Sequence, residues 1–173
     1  DAVLQQIVEV VYKETLADSI FLYIFDEPSA QVVLRASKNP HPALLGKVSL
    51  NLGEGITGWV AEHKKIVEIT KNASDDKRFK FFHNLPEDRY EAFLSLPVTF
   101  RGKLIGVVNI QYKKPKKHSK EQIRLLSTIA KQVGGALENA RLVGESNALK
   151  DALEVRKLVD MAKGILIKRD SLT

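Results

Sequence analysis

Residues 92–112 read AFLSLPVTFRGKLIGVVNIQY. Ala92 to Phe100 and Lys103 to Tyr112 are strand-length apolar runs, and the Arg101, Gly102 pair between them is a two-residue hairpin signal. The first run carries Phe93, Leu94, Leu96 and Val98; the second carries Leu104, Ile105, Val107, Val108 and Ile110. A sheet that met water on one side would alternate apolar with polar, so these strands are expected to be central, with helices over at least one face. Ser95, between Leu94 and Leu96, reads as strand interior and not as a nucleophile.

Working outward, Ile20 to Phe25 is a solid apolar run ending in Asp26, Glu27, Pro28 and Ser29, and Gln31 to Ser37 returns from that turn as a second hairpin strand. Pro40 and Pro42 end it. Val48 to Leu52 is a short strand leading into Gly53, Glu54, Gly55 and Gly58, with room for a short helix over Ile56 to His63 that carries Trp59 and Val60. Ile66 to Ile69 resumes as strand. The polar stretch Thr70 to Asp88 is too long for a turn and reads as a lid. Phe79, Phe81 and Phe82 lie within it, and three phenylalanines in a loop need something to be buried against. At the N-terminus, Leu4, Ile7, Val8, Val11 and Thr15 keep helical spacing.

Downstream, Ser119 with Gln122 three residues on is a capping box that marks a helix start. Leu126, Ala130, Val133, Leu137 and Ala140 form one apolar stripe, and Ala148, Ala152, Val155, Val159, Ala162 and Leu166 form another, joined through Gly144 by a step that resembles a coiled-coil stutter. One helix from Lys120 to Arg169 would be about 75 Å long. A helix of that length implies a partner from a second chain, hence a homodimeric coiled coil. Two shorter helices broken near Gly144 are the alternative.

The 173 residues suit one domain and an appendage, and 44% hydrophobic with 28% charged residues is a globular composition. Apolar runs stay well below the roughly 18 residues of a membrane span. Without cysteine, disulfides, thiolate metal sites and thioether-attached chromophores are excluded, and a cytoplasmic setting is expected. The net charge of +6 is concentrated: from Arg101 to Arg124 eight Lys or Arg stand against one acid, Glu121, which reads as a solvated loop or a polyanion patch. Beginning at Asp1, the chain reads as a piece of something longer.

Leu52 to Ile69, with glycines at 53, 55 and 58 and Val60 after Trp59, resembles the signature of GAF domains. Leu96, Pro97, Val98 and then Gly102 through Asn109 match the same family further on. The resemblance implies an α+β, PAS-like fold: an antiparallel sheet of about six strands with N- and C-terminal helices on one face, the C-terminal helix extended as a coiled coil. A ligand pocket is implied on the other face, under a loop and short helix, with Trp59, Phe79, Phe82, Phe93 and Ser95 as candidate ligand-binding residues. At the tail, Leu153 to Leu166, ending Ala162, Lys163, Gly164, Ile165, Leu166, resembles the first helix of ANTAR domains, which bind paired RNA hairpins and prevent transcription termination. The implied organisation is a sensor over 1–142, a helical linker over 143–152 and a truncated output domain over 153–173. Arg156, Lys157, Lys163, Lys168 and Arg169 are the candidate RNA contacts; interspersed acids fit an ordinary solvated helix face equally well.

The expected partners are thus an unidentified small molecule, an RNA hairpin through the complete output domain and a second copy of the chain, without membrane, metal or a named cofactor. The glycine cluster lacks the lysine followed by Ser or Thr of a phosphate loop. GAF domains that take cyclic nucleotides carry Asn then Lys, a later Phe and an Asp, Glu pair; here Ile110 follows Asn109, and His118, Glu121 and Gln122 hold the other positions. His41, His63, His83 and His118 are scattered singles, a poor start for haem or metal. No catalytic constellation is found, and methionine sulfoxide reductases of this fold rely on cysteines. The rival to a ligand sensor is a ligand-free dimerisation scaffold.

Overall fold

The computed structural model describes residues 2–38, 41–83, 85–143 and 148–171. Helix α1 (Ala2–Thr15) leads into strands β1 (Ser19–Asp26), β2 (Gln31–Lys38) and β3 (Ser49–Asn51), then α2 (Gly55–His63) and β4 (Val67–Ile69). Short 3₁₀ turns at Ala73–Asp75 and Pro86–Arg89 shape the long loop before β5 (Ala92–Phe100) and β6 (Lys103–Tyr112), and α3 (Lys120–Val143) and α4 (Ala148–Ser171) complete the chain. The six strands form one antiparallel sheet in the order β3-β2-β1-β6-β5-β4.

The doubly apolar strands lie where their composition requires. β6 sits between β1 and β5, and its residues alternate between two separate cores. Val108, Ile110 and Tyr112 pack with Ile20, Leu22, Leu94 and Leu96 under the helices, while Val107 packs with Phe21, Tyr23 and Phe93 on the other face. The hairpin turns on Arg101 and Gly102, both with positive φ (49° and 77°), as a two-residue turn matched to the twist of its strands requires.

Helix α3 starts as its capping box dictates: Gln122 N–H donates to Ser119 Oγ at 3.1 Å, and Ser119 N–H donates to Gln122 Oε1 at 3.0 Å. It lies so close on the sheet that a Cβ on Gly134 would land on the Thr99 carbonyl oxygen.

The expected single rod from Lys120 to Arg169 is corrected. Two helices form, and α4 lies back along both α3 and α1. Val155, Val159 and Ala162 are all buried, and Val155 and Val159 join the core of Val3, Leu4, Ile7, Leu126 and Ile129. Lys163 makes an ion pair with Glu14 of α1. Val155, Val159 and Ala162 of the second stripe are therefore covered within one chain, against α1 and α3. The stutter expected at Gly144 lies outside the described residues. Among them, no helix is long and apolar enough to cross a membrane.

Candidate ligand-binding site

The sheet face away from α1, α3 and α4 is covered by α2 and by the loop over residues 70–91. α2 reaches the sheet because Gly58 lacks a side chain: a Cβ there would collide with the Asn51 carbonyl oxygen. That approach sets a polar relay inside the second core. Asn109 Nδ2 donates to Thr57 Oγ1 at 2.7 Å, and Ser95 Oγ donates to Asn109 Oδ1 at 2.7 Å, all three residues buried.

The loop is held down at several points. Arg78 forms a bidentate pair with Asp76, and its guanidinium lies 4.8 Å from the centre of the Trp59 ring, whose other partner is the stacked His63 ring at 4.1 Å. Lys80 pairs with Glu54 at the start of α2. Asp88 Oδ1 accepts the Phe82 N–H at 3.0 Å. Hydrogen bonding to Lys80 and Arg78 holds the Glu54 and Asp76 carboxyls below the usual carboxylate range.

Between the loop and the sheet lies a cavity of about 30 Å³, room for about two water molecules. Phe79, Phe82, Leu85 and Phe93 supply an apolar wall, Ile56 and Thr57 the α2 side, and Tyr23, Asn109 and Gln111 the sheet floor. The charged side chains of Lys80, Glu87 and Asp88 also line the cavity. Glu87 is buried; its Oε1 accepts the Ser19 hydroxyl at 2.9 Å and lies 3.0 Å from His41 Nε2. Burial, and then the Glu87 charge, push the Tyr23 phenol far up. A chamber with an apolar wall and a few convergent polar groups is the general form of a small-molecule site.

A family model for the GAF domain matches residues 1–138. The chain belongs to the GAF domain family. Among solved structures, the chain is 33% identical to the GAF domain from an Acinetobacter phosphoenolpyruvate-protein phosphotransferase, over 82% of this chain and 83% of that one, with a TM-score of 0.72. The corresponding GAF domain from Coxiella burnetii gives 27% identity over 82% and 83% of the two chains, with a TM-score of 0.75. A type II free methionine-R-sulfoxide reductase from Thermoplasma acidophilum shares the fold at 20% identity over 76% and 87%, with a TM-score of 0.63. No curated protein matches the chain.

Of the residues expected to line the GAF pocket, Phe79, Phe82 and Phe93 do so. Ser95 stands one layer behind, reaching the cavity through Asn109, and Trp59 turns away from it to stack between His63 and Arg78. That orientation corrects the pocket role expected of Trp59; the ring holds the loop from outside. Asn109, Gln111 and Thr57 were not among the expected residues, although for Asn109 and Gln111 polar side chains at every second position of an otherwise apolar strand were a usable signal. Glu87 had no such signal, since it sits in a polar loop whose burial only the folded chain creates. Of the tail residues, Arg156, Lys157 and Lys168 are exposed and Lys163 is engaged with Glu14; the Arg169 side chain lies outside the described residues. Among the described residues, no group of three or more His, Asp or Glu is placed to hold a metal ion.

Proposed function

We propose that this GAF domain is the sensory part of a cytoplasmic signalling protein, binding a small molecule in the cavity beneath residues 70–91. The observation that carries the reading is the cavity itself, in which the apolar Phe79, Phe82, Leu85 and Phe93 meet the polar Thr57, Asn109, Gln111 and Glu87, built on a sheet whose opposite face carries α1, α3 and α4. A ligand acts on those helices only through its difference in affinity between two arrangements, each 1.4 kcal/mol being a tenfold shift in population.

The output in this proposal is RNA-binding antitermination, with residues 153–173 as the opening of an ANTAR domain. Support comes from the tail's resemblance to that helix, from the exposed Arg156, Lys157 and Lys168, and from Gly164, where a Cβ would meet nothing within 4 Å. A glycine inside a helix costs about 1 kcal/mol relative to alanine and needs a close neighbour to justify it. In this reading the neighbour is a further helix of the output domain. The role in this reading is binding, and the chain has no cysteine to serve thiol-based reductase chemistry.

A second reading, a ligand-free homodimerisation scaffold, is favoured by the exposed apolar side chains of α4: Leu153, Met161, Ile165 and Ile167 are each more than half exposed. Two measurements on the full-length protein separate the readings. A sensor shows a raised melting temperature with at least one member of a metabolite panel, and salt-dependent binding to paired-hairpin RNA that weakens when Arg156 and Lys157 are changed to alanine. A scaffold shows neither and sediments as a dimer.

A further inference from the structure

The cavity carries one buried charge whose partners are incomplete. Glu87 is only 5% exposed, and both of its close contacts, from Ser19 and His41, fall on Oε1. Oε2 is buried and has no hydrogen-bond partner among the described residues. A carboxylate offers about four lone-pair sites, and leaving half of a buried one unserved is costly enough in native proteins to call for an explanation.

We propose that the cavity takes a small molecule through a protonated amine, with the Glu87 carboxylate as its receptor; this rests on reading the cavity as a ligand site. Four classes of visitor are available, and the lining discriminates among them. A metal ion would need further ligands, and the described residues place no group of three metal-binding side chains together. An anion would approach the carboxylates of Glu87 and Asp88, while the Lys80 ammonium in the same lining is already paired with Glu54. A neutral hydroxyl would supply a donor but bring no charge to a carboxylate whose close partners are a hydroxyl and an imidazole. A protonated amine supplies both, and charge-assisted hydrogen bonds are shorter and about twice as strong as neutral ones.

The size and floor of the chamber also suit an amine. The volume of about 30 Å³ admits the headgroup, and Asn109 and Gln111 on the floor offer acceptors for its remaining protons. Any carbon chain behind it must displace Phe82 and Leu85, which are only half-buried and belong to the loop. Occupancy would therefore lift the lid while tightening Glu87. Glu87 in turn is bonded to Ser19, the first residue of β1, immediately after the link from α1. The amine site and the helical face are thus separated by a single hydrogen bond and a short turn.

The test is a nuclear magnetic resonance titration of the protein with butylammonium chloride, 1-butanol and sodium butyrate at constant ionic strength, monitoring the side-chain amides of Asn109 and Gln111 and the backbone of Phe79 to Phe82. The proposal expects saturable shifts with butylammonium, at least tenfold weaker binding of butanol and none of butyrate. In Glu87→Gln, butylammonium weakens at least tenfold while butanol is unchanged. Should butanol or butyrate bind as well as the amine, or Glu87→Gln bind the amine as the parent does, the amine assignment falls and the ligand cavity stands. Should none of the three shift these resonances, both fall. If Glu87→Gln does not fold, the comparison of the three probes on the parent protein decides.

Discussion

Asn109 Nδ2 donates to Thr57 Oγ1 at 2.7 Å, across 52 residues of sequence, and this bond ties the central strand to the first turn of the helix over the cavity. Ser95 completes the relay from the neighbouring strand, where it is registered directly opposite Asn109. Replacing Asn109 with leucine leaves two buried hydroxyls without their partner. An unsatisfied buried polar group costs about 1–3 kcal/mol, so N109L is expected to lower the urea midpoint and the melting temperature by several degrees. Adding Ser95→Ala and Thr57→Val to it removes the orphaned groups and is expected to recover part of the loss.

Gly134 and Gly164 should respond in opposite directions to alanine. A methyl group on Gly134 meets the Thr99 carbonyl oxygen, so α3 must move off the sheet, and overpacking of this kind costs about 1–3 kcal/mol. At Gly164 there is open space, and alanine is expected to stabilise α4 by up to about 1 kcal/mol. Chemical denaturation of the two variants beside the parent measures both.

The docking of α4 within the chain predicts that Val159→Asp is severe for α4 and mild for the sheet. Val159 is 3% exposed among Val3, Leu4 and Ile129, and an unpaired carboxylate there is expelled together with its helix. Hydrogen exchange should show protection lost over 155–166 and retained in β1, β5 and β6. Uniform loss across the sheet would contradict the arrangement described.

Stability should decline in alkali. The Tyr112 phenol is pushed up to about 12 from its ordinary value of 10.0, chiefly by burial, although its bond to the Thr15 carbonyl acts the other way. Below about pH 10 folded and unfolded chains both keep this proton, and the stabilisation is fully present. Above it the unfolded chain releases the proton first, so stability falls through the interval to about 12, by up to about 1.4 kcal/mol per pH unit for each such group. Tyr23 is raised further and adds in the same sense. Tyr112→Phe should be less stable near neutrality, having lost the contact of its hydroxyl with His118 at 2.8 Å, yet show a shallower alkaline slope. Urea midpoints across the alkaline range give both quantities.

Trp59 is the chain's single tryptophan, so its fluorescence reports the state of the loop. Arg78→Ala removes the cation beside the ring and the bidentate pair with Asp76. A contact of this kind is worth about 0.5–1 kcal/mol at an exposed site. The expected result is a small drop in stability with a clear change in emission, and faster exchange of amides in residues 76–82.

The strands, their turns and the start of α3 were legible because each rests on local pattern. Apolar residues on both faces of β5 and β6 leave only a central position, and Arg101 with Gly102 leaves only a tight turn between them. Phe79, Phe82 and Phe93 were legible for the same reason, as apolar groups needing cover. Trp59 was misjudged because a half-buried indole on a helix has two faces to choose between, and the choice went to the cation of Arg78.

What the sequence determined by itself was the family, the sheet and its helical cover, since periodicity and glycine spacing act over a few residues at a time. Tertiary structure alone decided the burial of Glu87 beside Ser19, 68 residues away, and the return of α4 onto α1 and α3. Those outcomes depend on which distant surfaces meet. An apolar stripe states that it must be covered and carries no information on whether the cover comes from its own chain or another.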